Sequence, residues 1–364
     1  MVWLLWGSGC SKGEGPATAA LSEPVLRVGT AMTVKQANPV ADYYYNKLAM
    51  VMTHDSLVRF DEDLNAVPQL AVKFGSDGEG RIWTFDLNPH ARWHDGRPVT
   101  PEDVKFTFEY LAKNHVSGGW AGHIIDRIET RENQVVFRLK KPYSRFLINA
   151  GFAVRILPRH IWEGISDPYE TSDKAVAMGC GPYRLDCFDR SAGTVSFRVN
   201  HDYYGPVPKT ERVDFRTYGT TDLLALALIK GQVDLQYQYA AGMPVPYVNK
   251  LAAQPHLACM AVASMGIPAV LGFNLSHPLV RALAVRRAVA LAMDYSQINA
   301  CLMQGEGEIP SPGMVPPPFP FQADAAPWKQ DLDQSRTLLA SEGWMDRDGD
   351  GDRKSTRLNS SHRL

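Results

Sequence analysis

Apolar and polar positions along the chain switch repeatedly between strict alternation and helical spacing. Residues 25–30 (VLRVGT) form a short apolar run reaching a glycine, which predicts a strand, and the turn-rich loop AMTVKQANPV follows. Residues 42–57 carry aromatic and aliphatic side chains at helical spacing and predict a helix. LVRF at 57–60 with the acidic turn DEDLN predicts a hairpin. Residues 81–87 (RIWTFDL), 135–139 (VVFRL) and 194–199 (TVSFRV) alternate as strands with one buried face do. Thr100, Pro101, Glu102 and Asp103 predict a helix start. Threonine caps, proline fits the first helical position, and the acids sit at the positive end of the helix dipole. Val104, Phe106, Phe108 and Leu111 supply its packing residues. Residues 285–293 (VRRAVALAM) and 331–343 (DLDQSRTLLASEG) predict further helices, the second closed by Gly343. Strands and helices interspersed in this way predict an α/β or α+β fold, and no internal repeat is visible.

At 364 residues the chain is longer than one ordinary domain and predicts two. Hydrophobic residues at 45% and charged residues at 21% fit a globular protein with a sizeable core. Lys plus Arg is 38 against 39 for Asp plus Glu, a formal net charge of −1. That balance, without a basic run, gives no long-range attraction for nucleic acid, so none is expected as a partner. No apolar stretch reaches the ~18–20 residues needed to span a bilayer.

The start, MVWLLWGSG followed by Cys10 and the polar SKGEGPATAA, resembles the end of a lipoprotein signal peptide. Gly7 stands where that pattern usually has Leu, and the basic start is missing. The resemblance implies lipidation at Cys10, residues 1–22 as signal remnant and tether, and a location in the periplasm or at the outer face of the cytoplasmic membrane. Cys180, Cys187, Cys259 and Cys301 allow three complete pairings and show no CxxC metal spacing. Export permits a disulfide, while buried free thiols are the more ordinary reading.

Between residues 26 and 351 a series of segments appears in an order that resembles the family 5 extracellular solute-binding proteins. They begin with HDSLVRFDEDLNAVPQLAVKF, then GEGRIWTFDLNPHARWHDGRPVTPEDVKFTFEYL, with its WTF strand, W-H-D-G turn and capped helix. MGCGPYRL and NHDYYGPVPKTERVDFR follow, with Tyr204 where the family usually has Trp. ALIKGQVDL, then GFNLSHPLVRALAVRRAVALAMDYSQI, resembling a Phe-Asn strand before an Arg-containing helix, and LLASEGWMDRDGDG complete the order.

The resemblance implies an α/β, two-lobed periplasmic-binding-protein-like fold of class II with an extra small subdomain. It implies a large lobe at 23–263, a subdomain inserted at 46–178, and a second lobe at 264–351. Such proteins are substrate-binding subunits of ABC importers that hold peptides between lobes and deliver them to membrane permease subunits. The expectation is a monomeric receptor, not an enzyme, with no cofactor and no metal. Ligand-facing positions under this resemblance are Ala31, Met32 and Thr33 after the first strand, His54 and Asp55 before the hairpin, and Phe273 and Asn274 in the second lobe. The alternatives are a nickel-chelate, haem or oligosaccharide receptor of the same family and, more distantly, a hydrolase using His94 and Asp95. No nucleophile motif such as G-x-S-x-G supports the hydrolase, and structural work is the expectation for the whole turn: Gly96 for an unusual backbone angle, Asp95 for capping. Asp346, Asp348, Asp350 and Gly351 resemble half a calcium loop, but Arg357 stands where the loop needs its bidentate Glu, so a surface turn is expected. Residues 352–362 (DRKSTRLNSSH) resemble a reading frame of a sequencing-adapter oligonucleotide. This implies that 352–364 is an artefact and the second lobe incomplete.

Overall fold

The computed structural model describes residues 24–31, 38, 40, 51–116, 120–169, 174–237, 242–260, 270–309, 325–346 and the backbone of 354–355. Cys10, Met32, Thr33 and the aspartates at 348 and 350 lie outside the described residues. The chain divides into two compact units, Met1–Tyr239 and Ala240–Leu364.

In the first unit the strands in chain order are β1 (Val25–Thr30), β2 (Val58–Phe60), β3 (Ala66–Pro68), β4 (Ala71–Ser76), β5 (Ile82–Leu87), β6 (Ile125–Arg131) and β7 (Gln134–Leu139). After them come β8 (Tyr183–Asp189), β9 (Thr194–Val199), β10 (Arg212–Thr217) and β11 (Leu235–Gln236). β4–β5–β7–β6 form a four-stranded antiparallel sheet. The helix Pro101–Lys113 opens as its sequence predicts. Asp103 Oδ2 accepts the Thr100 N–H at 2.8 Å while the Thr100 side chain accepts from the Asp103 N–H, the reciprocal pair of a capping box. Val104, Phe108 and Leu111 are buried from that helix and Phe106 packs half-buried beside them. Phe108 meets Phe137 edge-on with centroids 4.9 Å apart, and Phe137 meets Phe85 at 5.6 Å. These rings bind helix to sheet through area burial and favourable quadrupole geometry.

The helix predicted over 42–57 is corrected at its end: helical backbone stops at Thr53. The Thr53 carbonyl accepts from Gly181 N–H at 2.9 Å and the Asp55 carbonyl from Ile156 N–H at 3.0 Å. Carbonyls that would continue the helix are taken by segments more than a hundred residues away, so tertiary pairing overrides helical spacing. The hairpin β2–β3 forms as expected, with Asp61 Oδ1 accepting the N–H groups of Asp63 and Asn65.

β11–β1–β10–β9–β8 form a second, mixed sheet, parallel at β11–β1–β10 and antiparallel beyond. Val28, Val195, Phe197, Val213 and Phe215 build its own core, separate from that of the four-stranded sheet. The helix Thr221–Ile229 carries the chain from β10 to β11. Its Leu224 sits so close to β1 that a Cβ on Gly29 would lie 2.3 Å from Leu224 Cδ1, so a larger residue there would require the leucine to shift.

The second unit contains the helices Val245–Ala252, Leu283–Ala292, Tyr295–Met303 and Leu332–Ser341. Asp331 caps the last by accepting from Gln334 N–H at 2.8 Å, and Gly343 ends it at φ +83°. Ser335 Oγ donates to the Ala288 carbonyl at 2.8 Å, pinning Leu332–Ser341 to Leu283–Ala292, whose Val285 and Ala288 are buried. The Phe-Asn strand implied by the resemblance is corrected. Phe273 and Asn274 have no strand partner among the described residues, and Asn274 Oδ1 accepts from Ser276 N–H at 3.0 Å, turning the chain. β12 (Trp344–Met345) pairs with β13 (Lys354–Ser355). No described helix is long and apolar enough to cross a membrane.

Candidate functional site

Ala31 directly follows β1, half-buried, at the carboxyl end of the parallel part of the five-stranded sheet. Open sheets place ligands at such ends because loops there are free to vary over a rigid support. Met32 and Thr33 lie outside the described residues. Phe273 is half-buried and Asn274 exposed, both in the second unit.

His54 and Asp55 are in a different environment: both are 0% exposed. Asp55 Oδ2 accepts the hydroxyls of Tyr204 at 2.5 Å and Tyr203 at 3.0 Å, and Asp55 Oδ1 accepts Gln69 Nε2 at 2.6 Å. Burial pushes the Asp55 carboxyl above its usual range, while the two tyrosines, Arg155 and Gln69 pull the other way. Burial, and then the same carboxylate, push both tyrosine hydroxyls upward, so they stay protonated donors. Arg155 is held nearby, its Nη1 donating to Ser56 Oγ at 3.0 Å. Every oxygen of Asp55 is thus occupied by protein, leaving none facing a ligand.

The segment opposite is Gly179–Cys180–Gly181. A Cβ on Gly179 would lie 1.9 Å from the Thr53 carbonyl oxygen, and one on Gly181 would lie 2.7 Å from the Thr53 carbonyl carbon. Only glycine permits this approach, which brings the Gly181 N–H to the Thr53 carbonyl. The G-x-G-P-Y segment is therefore a backbone-to-backbone joint between the two cores of the first unit. Cys180 within it is a buried free thiol whose pKa burial raises, whereas Cys259 and Cys301 are free and exposed. Tyr203, Tyr204, Gln69 and Arg155 were not readable as parts of this joint from spacing, because they come from three separate segments.

His94 closes the joint from the W-H-D-G turn. Its Nδ1 accepts the Gly179 N–H at 3.3 Å, which leaves Nε2 as the protonated nitrogen, 3.1 Å from the Gly181 carbonyl. Burial lowers its pKa to about 4, and burial with the neighbouring His94 and Arg155 lowers that of His54 to about 3. A ring with both nitrogens bound to backbone has no lone pair for general-base work. Asp95 Oδ1 accepts the Arg97 N–H at 3.1 Å, its Oδ2 meets His160 Nε2 at 2.9 Å, and Gly96 stands at φ +88°. The capping and backbone roles expected for Asp95 and Gly96 are the ones observed.

A family model described as bacterial extracellular solute-binding proteins, family 5 Middle, matches residues 65–363. The oligopeptide-binding protein AppA of Bacillus subtilis is 24% identical over 312 residues, 82% of this chain and 55% of AppA. A putative ABC transporter peptide-binding protein of Brucella ovis is 29% identical over 305 residues, 81% of this chain and 55% of that protein. The chain thus spans about half the length of the curated relatives it matches. Among solved structures, NikZ from Campylobacter jejuni in complex with Ni(L-His) superimposes with a TM-score of 0.74 at 22% identity, covering 91% of this chain and 65% of NikZ. AppA in complex with a nonapeptide gives 0.74 at 21% identity, covering 92% of this chain and 67% of AppA. At such identities the structural likeness establishes the fold, that of two-lobed binding proteins, while the family match rests on most of the sequence. The chain belongs to the bacterial extracellular solute-binding proteins of family 5.

Proposed function

We propose that this chain is the extracytoplasmic substrate-binding subunit of an ABC importer, a receptor that binds peptides between two lobes and presents them to a membrane permease. The observation that carries this reading is that the family match is accompanied by relatives named for oligopeptide or peptide binding. The engagement of both His94 nitrogens by backbone supports a receptor over a hydrolase. The lobes are taken from the sequence segments as 23–263, with a subdomain at 46–178, and 264–351. The protein works as a monomer, held at the membrane by lipid on Cys10. Ala31, Met32, Thr33, Phe273 and Asn274 face the ligand. His54 and Asp55 are buried, and Asp55 would reach it only by giving up its bonds to Tyr203, Tyr204 and Gln69.

Isothermal titration with a nonapeptide library tests this, together with thermal shift, since a ligand bound only by the folded state raises Tm. Saturable peptide binding supports the reading. The second reading, a chelate or oligosaccharide receptor, is favoured by neighbours solved with Ni(L-His), Fe(III)-EDTA and mannohexaose. Binding of one of these with no response to peptides would replace the peptide assignment.

A further inference from the structure

A cleft of about 360 Å³ opens in the first unit, where the W-H-D-G turn faces the segment after β9. Arg92, Trp93 and Asp95 line it from the turn, and Arg184, Asn200 and Asp202 from the other side. Its polar groups are unequally used. Several acceptors are engaged: Asp95 Oδ2 by His160 at 2.9 Å, Asn200 Oδ1 by Arg184 at 2.6 Å and Asp202 Oδ2 by Arg184 at 3.0 Å. One donor group is left over. The Arg92 guanidinium has no ion pair or hydrogen bond among the described residues. Charge follows the same pattern, because Asp95 is offset by Arg97, and Asp202 by Arg184, leaving Arg92 uncompensated.

A concave site with one unpaired guanidinium favours an oxyanion, since carboxylate and phosphate oxygens are acceptors only and match the guanidinium fork. We propose that this cleft is a binding site for a small oxyanion, a phosphate or a carboxylate, with Arg92 as its principal ligand. The site lies wholly within the first unit, so its occupancy does not depend on the peptide reading.

Titrating the chain with sodium phosphate and, separately, with disodium succinate at constant ionic strength tests the proposal and distinguishes the two sources. Saturable binding of either dianion is expected, and Arg92→Gln should weaken it about tenfold, the loss of one charge-assisted hydrogen bond. Arg92→Lys should retain part of the affinity, and Arg81→Gln, away from the cleft, should leave it unchanged. Arg92 is exposed, so an unchanged Tm for its variants is the accompanying check on folding. Absence of saturable binding by both dianions overturns the proposal, as does equal binding by the wild-type chain and Arg92→Gln.

Discussion

The Tyr204 hydroxyl donates to Asp55 Oδ2 at 2.5 Å across 149 positions of sequence. Tyr204 occupies the place where the family usually has Trp, yet it carries a donor that reaches a fully enclosed carboxylate. Tyr204→Phe keeps the ring and removes only that donor, leaving a buried acceptor short of a partner. It should lower unfolding free energy by about 2 kcal/mol, the scale for a hydrogen bond to a charged group. Urea denaturation measures this. A change below about 0.5 kcal/mol would show that the remaining donors satisfy Asp55 without it.

Stability should fall as pH drops from neutrality. His54 and His94 have folded pKa values of about 3 and about 4 against 6.5 when unfolded. A depressed value gives stability that is present above pH 6.5 and is lost as pH falls toward the folded values, because only the unfolded chain takes up the proton. The slope is up to about 1.4 kcal/mol per pH unit for each ring. Asp55 acts in the opposite sense: its raised pKa gives stability at low pH that is lost as pH climbs above 3.8. Comparing urea midpoints at pH 7 and pH 5 for the wild-type chain and His94→Gln isolates one histidine. The variant should show a shallower loss, and identical pH dependence would remove His94 from the account.

The three glycines of the joint and the turn should respond differently to alanine. Gly179→Ala and Gly181→Ala place a Cβ against backbone that cannot yield, and should cost about 3 kcal/mol or more each. Gly96 has open space around its missing Cβ and only a φ of +88° against substitution. Gly96→Ala should therefore cost about 1 kcal/mol. Thermal unfolding of all three ranks them, and a Gly96 variant as unstable as the other two would contradict the steric argument.

Asp95→Ala removes the acceptor for the Arg97 N–H and for His160. It should lower stability by about 1 kcal/mol, as loss of a capping acceptor does. Peptide affinity should stay within about twofold, because Asp95 serves the turn. A tenfold loss of affinity at unchanged stability would move Asp95 into a ligand site.

Local rules carried well in the sequence wherever a segment's neighbours in space are also its neighbours along the chain. Thr100 to Asp103 formed their cap, and Asp61 organised the hairpin turn, since each bond closes within a few residues. The helix Leu332–Ser341 ended at Gly343 for the same reason. The joint was legible only as a pair of glycines and a pair of tyrosines with no stated partners. His54 and Asp55, which looked like ligand-facing residues beside a hairpin, are held inward by Tyr203, Tyr204, Gln69 and the Gly179–Gly181 segment.

The sequence by itself therefore determined the family, the mixed α/β character and the capped ends of individual helices. These follow from side-chain period and from hydrogen bonds that span a few residues. Only the tertiary structure decided that the first helix stops at Thr53, that Phe273 and Asn274 turn rather than pair, and that Asp55 is enclosed. In each case the deciding partner is a backbone group or a buried side chain brought in by the fold. Where Gly181 approaches closely enough to take the Thr53 carbonyl, that tertiary bond displaces the local one that helical spacing favours.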